Sequence, residues 1–186
     1  MKTIIAFIVI FNFSGLVHAG NKSFHKTITD EYLSGSMEGF HLSKRKAPIQ
    51  DFSFQNKAGH TLKFSEFRGK IVILNIWATW CLPCRKEMPS LNNLQKIFAN
   101  KKVVILAIAQ DKAGIRLIEK FYSEMKITNL EIFLDSRGKS QRFAGVFVLP
   151  TTLIIDRNGF EIGRLIGGAA WDSKESIRLI KSFLEK

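Results

Sequence analysis

The stretch that contains both cysteines of the 186-residue chain reads IVILNIWATWCLPCRKEMPSL, residues 71–91. Its first seven residues form a nearly continuous apolar run rich in β-branched side chains, which is typical of a strand buried on both faces. From Leu82 to residue 100, apolar side chains recur at steps of three or four and predict a helix. Cys81 and Cys84 therefore lie where a buried strand passes into a helix.

This junction suits thiol chemistry. The first N–H groups of a helix lack partners, and the helix dipole adds partial positive charge there. We therefore expect the pKa of Cys81 to lie below the free value of about 8.5. Cys84, one turn further and less accessible, is placed to resolve a mixed disulfide formed at Cys81. Pro83 stiffens the first turn, where its missing N–H costs nothing. The pattern predicts a redox-active pair.

Two other uses of the cysteines compete with this interpretation. A bridge across two residues closes too short a loop to restrict the unfolded chain, which argues against a structural disulfide. Zinc needs two further ligands, and the chain has no other cysteine and no histidine after residue 60. Two thiolates and an imidazole would suit copper, so copper delivery stays open as a non-enzymatic alternative. We predict no metal site and no cofactor beyond the cysteine pair.

Residues 1–19 have the layout of a secretory signal. Lys2 precedes an apolar run that is followed by small residues and by Val17-His18-Ala19, a cleavage-site pattern. The run is shorter than the roughly 20 apolar residues that span a bilayer. An uncleaved membrane anchor is the alternative. Either way we expect a periplasmic or other extracytoplasmic location, where disulfides persist.

The rest of the chain divides into a tether and one domain. Residues 20–47 are polar and are predicted to form a tether with one short helix near residues 30–39. The domain, residues 48–186, begins with an alternating pattern at 51–67 that predicts a β-hairpin. Strands and helices then alternate, which favours an α/β sheet with helices on both sides. The predicted strands are 71–77, 103–109, 131–135, 151–156 and one ending near Ile166; the predicted helices are 82–100, 114–125, 139–144 and 173–185.

Composition excludes two classes of protein. Hydrophobic residues make up 46% of the chain, so most of it is not intrinsically disordered. The formal net charge is +12, but the basic residues are scattered, and the one dense run, residues 44–46, precedes the domain. Nothing resembles a nucleic-acid-binding module. The positive charge has two interpretations: a solvated surface rich in lysine, or a surface that attracts acidic partners.

A tryptophan and a C-x-x-C pair after a buried strand, with a later proline that opens another strand (VFVLPTTLIID, 146–156), resemble the thioredoxin superfamily. More narrowly, the chain from Pro48 onward is similar to the TlpA/ResA-type extracytoplasmic thiol–disulfide oxidoreductases. The matching blocks are FRGKIVILNIWATWCLPCRKEMPSL (67–91) and LPTTLIIDRNG (149–159), and the likeness is greatest to the TlpA members. The resemblance implies a thioredoxin-like α/β fold with an N-terminal β-hairpin and a central insertion before the proline loop.

The resemblance also implies roles for individual residues near the disulfide. It implies a cis peptide bond at Leu149-Pro150, which would expose strand edge to an extended substrate segment. Trp80 is expected to shield the disulfide, and Trp80, Pro83, Leu149 and Pro150 are the expected substrate-binding residues. We expect Trp77 in the core and Trp171 in ordinary packing.

Glu87 is the third predicted catalytic residue. Thioredoxin has a buried aspartate six residues before its first cysteine, whereas this chain has Asn75, which cannot act as a base. The ResA branch has a glutamate three residues after its second cysteine, and Glu87 matches it. One helical turn from Cys84, its carboxylate could raise a thiol pKa and relay protons. The alternative is a solvated glutamate beside Arg85 and Lys86.

The function implied by the family is reduction of selected protein disulfides outside the cytoplasm. The implied substrates are apocytochrome c thiols, or the copper-site cysteines of cytochrome oxidase and its assembly factors. The implied electron donor is a membrane protein of the DsbD/CcdA type. A disulfide-forming oxidase is the alternative within the same class, and a copper chaperone or a peptide-binding module is the alternative outside it.

Overall fold

The computed structural model of the chain describes residues 33–45, 47–99 and 102–184. Within these ranges no helix is long and apolar enough to cross a bilayer. The strands are β1 Phe40–Leu42, β2 Ser53–Asn56, β3 Thr61–Lys63, β4 Ile71–Trp77, β5 Val103–Ala109, β6 Phe133–Leu134, β7 Thr151–Ile155 and β8 Glu161–Ile166. The α-helices are α1 Leu82–Ile97, α2 Ile115–Glu124, α3 Lys139–Phe143 and α4 Lys174–Ser182, and two 3₁₀ turns span Gly35–Met37 and Phe64–Phe67.

The strands form one mixed sheet in the order β1-β8-β7-β4-β5-β6-β2-β3. Its centre is β4, which pairs in parallel with β5 and antiparallel with β7. Every residue of β4 is buried, which explains the unbroken apolar run in the sequence. Ile76 lies opposite Thr151, so the residues that follow β4 and those that precede β7 meet at one edge of the sheet.

Each face of the sheet carries its own apolar core. On one face α1, α2 and α4 pack through residues such as Met88, Phe121 and Leu179. On the other face, aromatic side chains in and beside the hairpin β2–β3 and the end of α3 form a second core, in which Phe52 stacks on Phe64 at 5.0 Å between ring centres. Each fully buried side chain of this size contributes about 1.5–3 kcal/mol.

The predicted α/β class, hairpin and central segment are confirmed in this sheet. Phe54 pairs with Leu62 in the hairpin, and Gly59, with a φ of 82°, supplies the left-handed turn residue. The central segment between β5 and β7 contains α2, β6 and α3, and β6 joins the hairpin to the sheet. The predicted ends of the elements differ by a few residues, and residues 100 and 185 lie outside the described ranges.

The boundary that we predicted at Pro48 is wrong for the described part of the tether. Met37 and Phe40 are buried in the core, and β1 pairs with β8 as an edge strand of the sheet. Within the described residues the predicted helix near 30–39 is only the turn Gly35–Met37. A three-residue strand is too short to show a period in the sequence. The predicted signal, 1–19, and residues 20–32 of the tether lie outside the described ranges.

Candidate active site

Cys81 and Cys84 form a disulfide at the strand-to-helix junction that the sequence predicted, with an S–S distance of 2.05 Å. Cys81 is the N-cap residue of α1, and its Sγ accepts a hydrogen bond from the backbone N–H of Cys84 at 3.3 Å. Pro83 occupies the first turn, where a missing N–H is tolerated. The helix N-terminus is therefore directed at the sulfur of Cys81.

The two sulfurs differ in accessibility. Cys81 is 6% exposed and Cys84 is fully buried, so an incoming thiol or disulfide reaches Cys81 first. The exposure of Cys81 is smaller than the sequence suggested. Its neighbours Trp80 and Leu82 are 70% and 62% exposed and form a prominent apolar rim. The pair is reached through a narrow opening beside large apolar side chains.

The backbone before Cys81 is held by a cluster that the sequence did not predict. The carboxylate of Asp111, just beyond the end of β5, accepts hydrogen bonds from the Thr79 N–H at 3.0 Å and from the Thr79 hydroxyl. Arg85 donates to the Thr79 carbonyl at 3.3 Å and lies over the Phe121 ring. Asp111 is buried. The sequence feature that could have predicted its role is its position just after β5, the strand parallel to β4.

The Leu149-Pro150 peptide bond is cis, as the resemblance implied. Pro150 is buried and Leu149 is half-buried, while Phe147 is 92% exposed. The segment is firmly held, because Thr151 donates to the Val148 carbonyl at 2.7 Å, and Arg164 donates to the Ala144 and Gly145 carbonyls. Eight large apolar side chains are exposed in the described ranges, and five of them belong to this edge: Trp80, Leu82, Phe147, Val148 and Ile166.

Glu87, one helical turn after Cys84, is buried rather than in solvent, so the solvated alternative is wrong. Its side chain is 3% exposed. Oε1 accepts a hydrogen bond from Asn75 Nδ2 at 2.8 Å, and Oε2 accepts from Trp171 Nε1 at 3.0 Å and from the Ala169 N–H at 3.1 Å. Burial raises the pKa of Glu87 from 4.5 to about 7, and the three hydrogen bonds oppose that rise.

A surface groove of about 430 Å³ leads to Glu87. It is lined by Pro83, Lys86, Glu87, Ser90 and residues 168–170. Gly168 comes so close to α1 that a Cβ there would lie 3.3 Å from the Pro83 carbonyl oxygen. A nearly buried carboxyl group in the second turn of α1 thus adjoins water, where it can exchange a proton.

The structure gives Trp171 a polar contact that the sequence did not reveal. Both Trp77 and Trp171 are fully buried, which confirms the prediction for Trp77. The indole of Trp171, however, donates to Glu87 across a sequence separation of 84 residues. Asn75 is a second member of this network, through its amide. A buried tryptophan in a turn gives no sequence signal for a polar contact so far away.

The described histidines do not approach the cysteines. His41 lies on β1 and His60 at the turn between β2 and β3, at the two opposite ends of the sheet order. In the parts of the chain that the structure describes, no three His, Cys, Asp or Glu side chains are grouped as a metal site would require. Among the described residues, no His, Asp or Glu side chain therefore joins Cys81 and Cys84 in such a group.

Comparisons with known proteins agree with this geometry. Residues 45–160 match the AhpC/TSA family. Thiol-disulfide oxidoreductase ResA of Geobacillus kaustophilus is 38% identical over 127 residues, which cover 68% of this chain and 70% of that protein. A crystal structure described as thiol:disulfide interchange protein DsbE of Chlorobium tepidum superposes with a TM-score of 0.67 at 29% identity, covering 77% of this chain and 99% of that one.

The exposed lipoprotein thioredoxin Etrx1 of Streptococcus pneumoniae superposes with a TM-score of 0.60 at 25% identity, covering 74% of this chain and all of that one. These likenesses and the mixed sheet confirm the predicted thioredoxin-like fold and the predicted enzyme class. A particular closeness to TlpA stays a prediction. The chain belongs to the AhpC/TSA family and, within it, to the ResA-type thiol-disulfide oxidoreductases.

Proposed function

We propose that this protein is an extracytoplasmic reductant of selected protein disulfides. The observation that carries the direction is the buried carboxyl group of Glu87, one helical turn from Cys84. An ionised carboxylate there disfavours a nearby thiolate by like-charge repulsion. Strongly oxidising disulfides belong to proteins whose reduced form is stabilised. A group that opposes thiolate formation therefore favours a reductant over an oxidase.

The proposed exchange has two steps. The Cys81 thiolate attacks one sulfur of a substrate disulfide, forming a mixed disulfide and releasing the other substrate sulfur as a thiolate. Cys84 then loses its proton to Glu87 and attacks the Cys81 sulfur, which releases the second substrate thiolate and forms the Cys81–Cys84 disulfide. Two electrons pass to the substrate, and its two thiolates take up two protons.

Substrate binding is assigned to the apolar rim and the proline loop. Trp80 and Pro83 flank the accessible sulfur, and Leu149 and Pro150 lie at the adjoining sheet edge. An extended substrate segment would lie over Cys81 between these two elements. The exposure of Trp80 supports this assignment, because large exposed apolar side chains mark interaction surfaces.

The physiological partners rest on the family resemblance. A reductant in an oxidising compartment needs selected targets, and the candidates are apocytochrome c thiols or the copper-site cysteines and assembly factors of cytochrome oxidase. Electrons would come from a membrane donor of the DsbD/CcdA type. The description of Etrx1 as an exposed lipoprotein supports an extracytoplasmic location for this chain too. No nucleic-acid partner is proposed.

The test is the reduction potential of the Cys81–Cys84 couple, measured by equilibration with glutathione at pH 7. A reductant is expected near thioredoxin, at about −270 mV, whereas oxidants lie near about −120 mV. Glu87→Gln removes the charge that opposes the thiolate, so its potential should be less negative than that of the wild type. A wild-type value close to the oxidant end would favour the oxidase alternative. Stoichiometric Cu(I) retained through chelation would favour the chaperone alternative.

A further inference from the structure

We propose that Asn75 is a positioning residue whose side-chain amide rotates by half a turn when Glu87 gains or loses its proton. The rotation keeps Glu87 hydrogen-bonded to Asn75 in both states. The inference rests on the proton-accepting role proposed for Glu87 and assigns the partner that makes this role compatible with burial. It also accounts for an asparagine at the position where thioredoxin has an aspartate.

The observed contacts fit an ionised Glu87. Asn75 is fully buried, and its Nδ2 donates to Glu87 Oε1 at 2.8 Å and to Thr152 Oγ1 at 2.9 Å. The other partners of Glu87, the Trp171 indole and the Ala169 N–H, are also donors. All three surrounding groups thus donate to the carboxylate. Among the described residues, Asn75 Oδ1 has no hydrogen-bond partner.

A protonated Glu87 cannot keep these contacts unchanged. A proton on Oε2 would face two N–H groups, of Trp171 and Ala169, and neither can become an acceptor. A proton on Oε1 would face only the amide of Asn75, which carries a donor and an acceptor on one rotatable group. Because the amide alone can reverse its polarity, Oε1 is the oxygen that takes the proton.

Rotation about the Cβ–Cγ bond exchanges the two ends of the Asn75 amide. Oδ1 then accepts from the Glu87 carboxylic acid and from the Thr152 hydroxyl, which can donate as well as accept. Nδ2 moves to the position where Oδ1 had no partner. The number of hydrogen bonds is the same before and after, so proton uptake does not leave Glu87 facing an unsuitable partner. An ionised aspartate at position 75 would offer acceptors only and would add a second buried charge.

Few other charges face Glu87. On α1, Cys84 lies one turn back and Lys86 lines the same groove. From the sheet, β4 and β7 present Asn75 and Thr152, which do not titrate. In the loop that carries Trp171, the Asp172 carboxylate accepts from Asn93 instead. The oxidised protein also has no titrating thiol, so the Glu87 proton can be followed alone there.

The test follows the side-chain NH₂ group of Asn75 by ¹⁵N NMR in the oxidised wild-type protein between pH 5 and 9. We expect its resonances to shift with a midpoint near 7, the same midpoint as the Glu87 carboxyl carbon. Asn92 is the internal control, because it is also buried and its Oδ1 is held by the N–H groups of Thr128 and Asn129. Its NH₂ signals should not move.

Glu87→Gln supplies a fixed reference state. The side-chain amide introduced at position 87 must present its oxygen to the N–H groups of Trp171 and Ala169. Its NH₂ group therefore faces Asn75 and donates to Asn75 Oδ1. The Asn75 signals should therefore hold their low-pH positions at every pH. The inference is overturned if Glu87 titrates while the Asn75 signals stay still, or if Asn92 shifts equally. A failure of the proposed function would instead appear as a strongly oxidising potential, measured independently of these signals.

Discussion

The two sides of the Cys81–Cys84 disulfide differ in polarity. The outer side is an apolar rim, with Trp80 and Phe147 largely in water. The inner side is a buried polar network in which every hydrogen bond to the Glu87 carboxylate comes from an N–H donor. The outer side can select which substrates reach Cys81, whereas the inner side can set the pKa values of the thiols and of Glu87. Since the two sides adjoin at the first turn of α1, each can be altered separately.

The strongest test of this division is made at the disulfide itself. In Cys81→Ser, the rate at which substrate disulfides are reduced should fall to the background rate, because the accessible nucleophile is lost. Cys84→Ser should instead accumulate mixed disulfides with partners, because resolution needs the second thiol. Non-reducing gels and mass spectrometry of the trapped adducts would measure this difference. Multiple turnover by Cys84→Ser would refute the two-step scheme.

The buried Glu87 network should make the free energy of unfolding depend on pH. Because the pKa of Glu87 is about 7 in the folded protein and 4.5 in the reference state, the folded state binds more protons between these values. The free energy of unfolding of the oxidised protein should therefore fall by about 3 kcal/mol from pH 4.5 to above pH 7. Glu87→Gln should remove this fall, as denaturant titrations at several pH values would show.

A second glutamate provides the control for that measurement. Glu175 is partly exposed in the first turn of α4, and hydrogen bonds from its own backbone N–H and from Ser173 lower its pKa. Its protonation therefore belongs to a more acidic range. Glu175→Gln should leave the stability loss between pH 5 and 7 intact. If both substitutions removed the loss equally, burial of Glu87 would not be its cause.

The outer side was easier to predict from the sequence than the inner side. The apolar run of β4 and the cysteines after it are local patterns, and they located the junction, the rim residue Trp80 and the proline loop. The burial of Glu87 is decided by the loop at 167–172, which covers α1 from far along the chain. Strand β1 was missed for a similar reason, because its pairing with β8 is not visible in three residues.

The two buried tryptophans allow the inner network to be tested one hydrogen bond at a time. Trp171→Phe keeps an aromatic side chain but removes the N–H that lowers the pKa of Glu87. A hydrogen bond to a charged group is worth about 1.5–3 kcal/mol, so the pKa should rise by about 1–2 units. NMR titration of the Glu87 carboxyl carbon in the oxidised protein would measure the rise.

Trp77→Phe is the matched control for this substitution. Trp77 is equally buried, packs on Phe121 and Tyr122, and has no hydrogen-bond partner for its Nε1 within the described residues. Replacing Trp77 should leave the titration midpoint of the Glu87 carboxyl group unchanged. Equal shifts in both variants would mean that the volume of the aromatic side chain matters, and that the indole contact with Glu87 does not.

The smallest effect is expected on the outer side, at Phe147. This side chain is 92% exposed on a segment held by Arg164, so it can meet a substrate with little further ordering. Phe147→Ala should raise KM for a protein disulfide by about 3- to 10-fold, a contact of about 1 kcal/mol. Stability should change by less than about 0.5 kcal/mol, as is usual for exposed positions. The reduction potential should not move, because the inner network is untouched.

Phe160 provides the comparison for Phe147. It is a second exposed phenylalanine, 38% in water, at the turn between β7 and β8 and therefore at the sheet edge opposite the disulfide. Phe160→Ala should leave KM for protein substrates unchanged. Steady-state kinetics with one protein disulfide and one small disulfide would separate the two sides, since the small molecule reaches Cys81 without covering the rim. If Phe147→Ala altered the reduction potential, or raised KM equally for both substrates, the rim would not be a separate recognition surface.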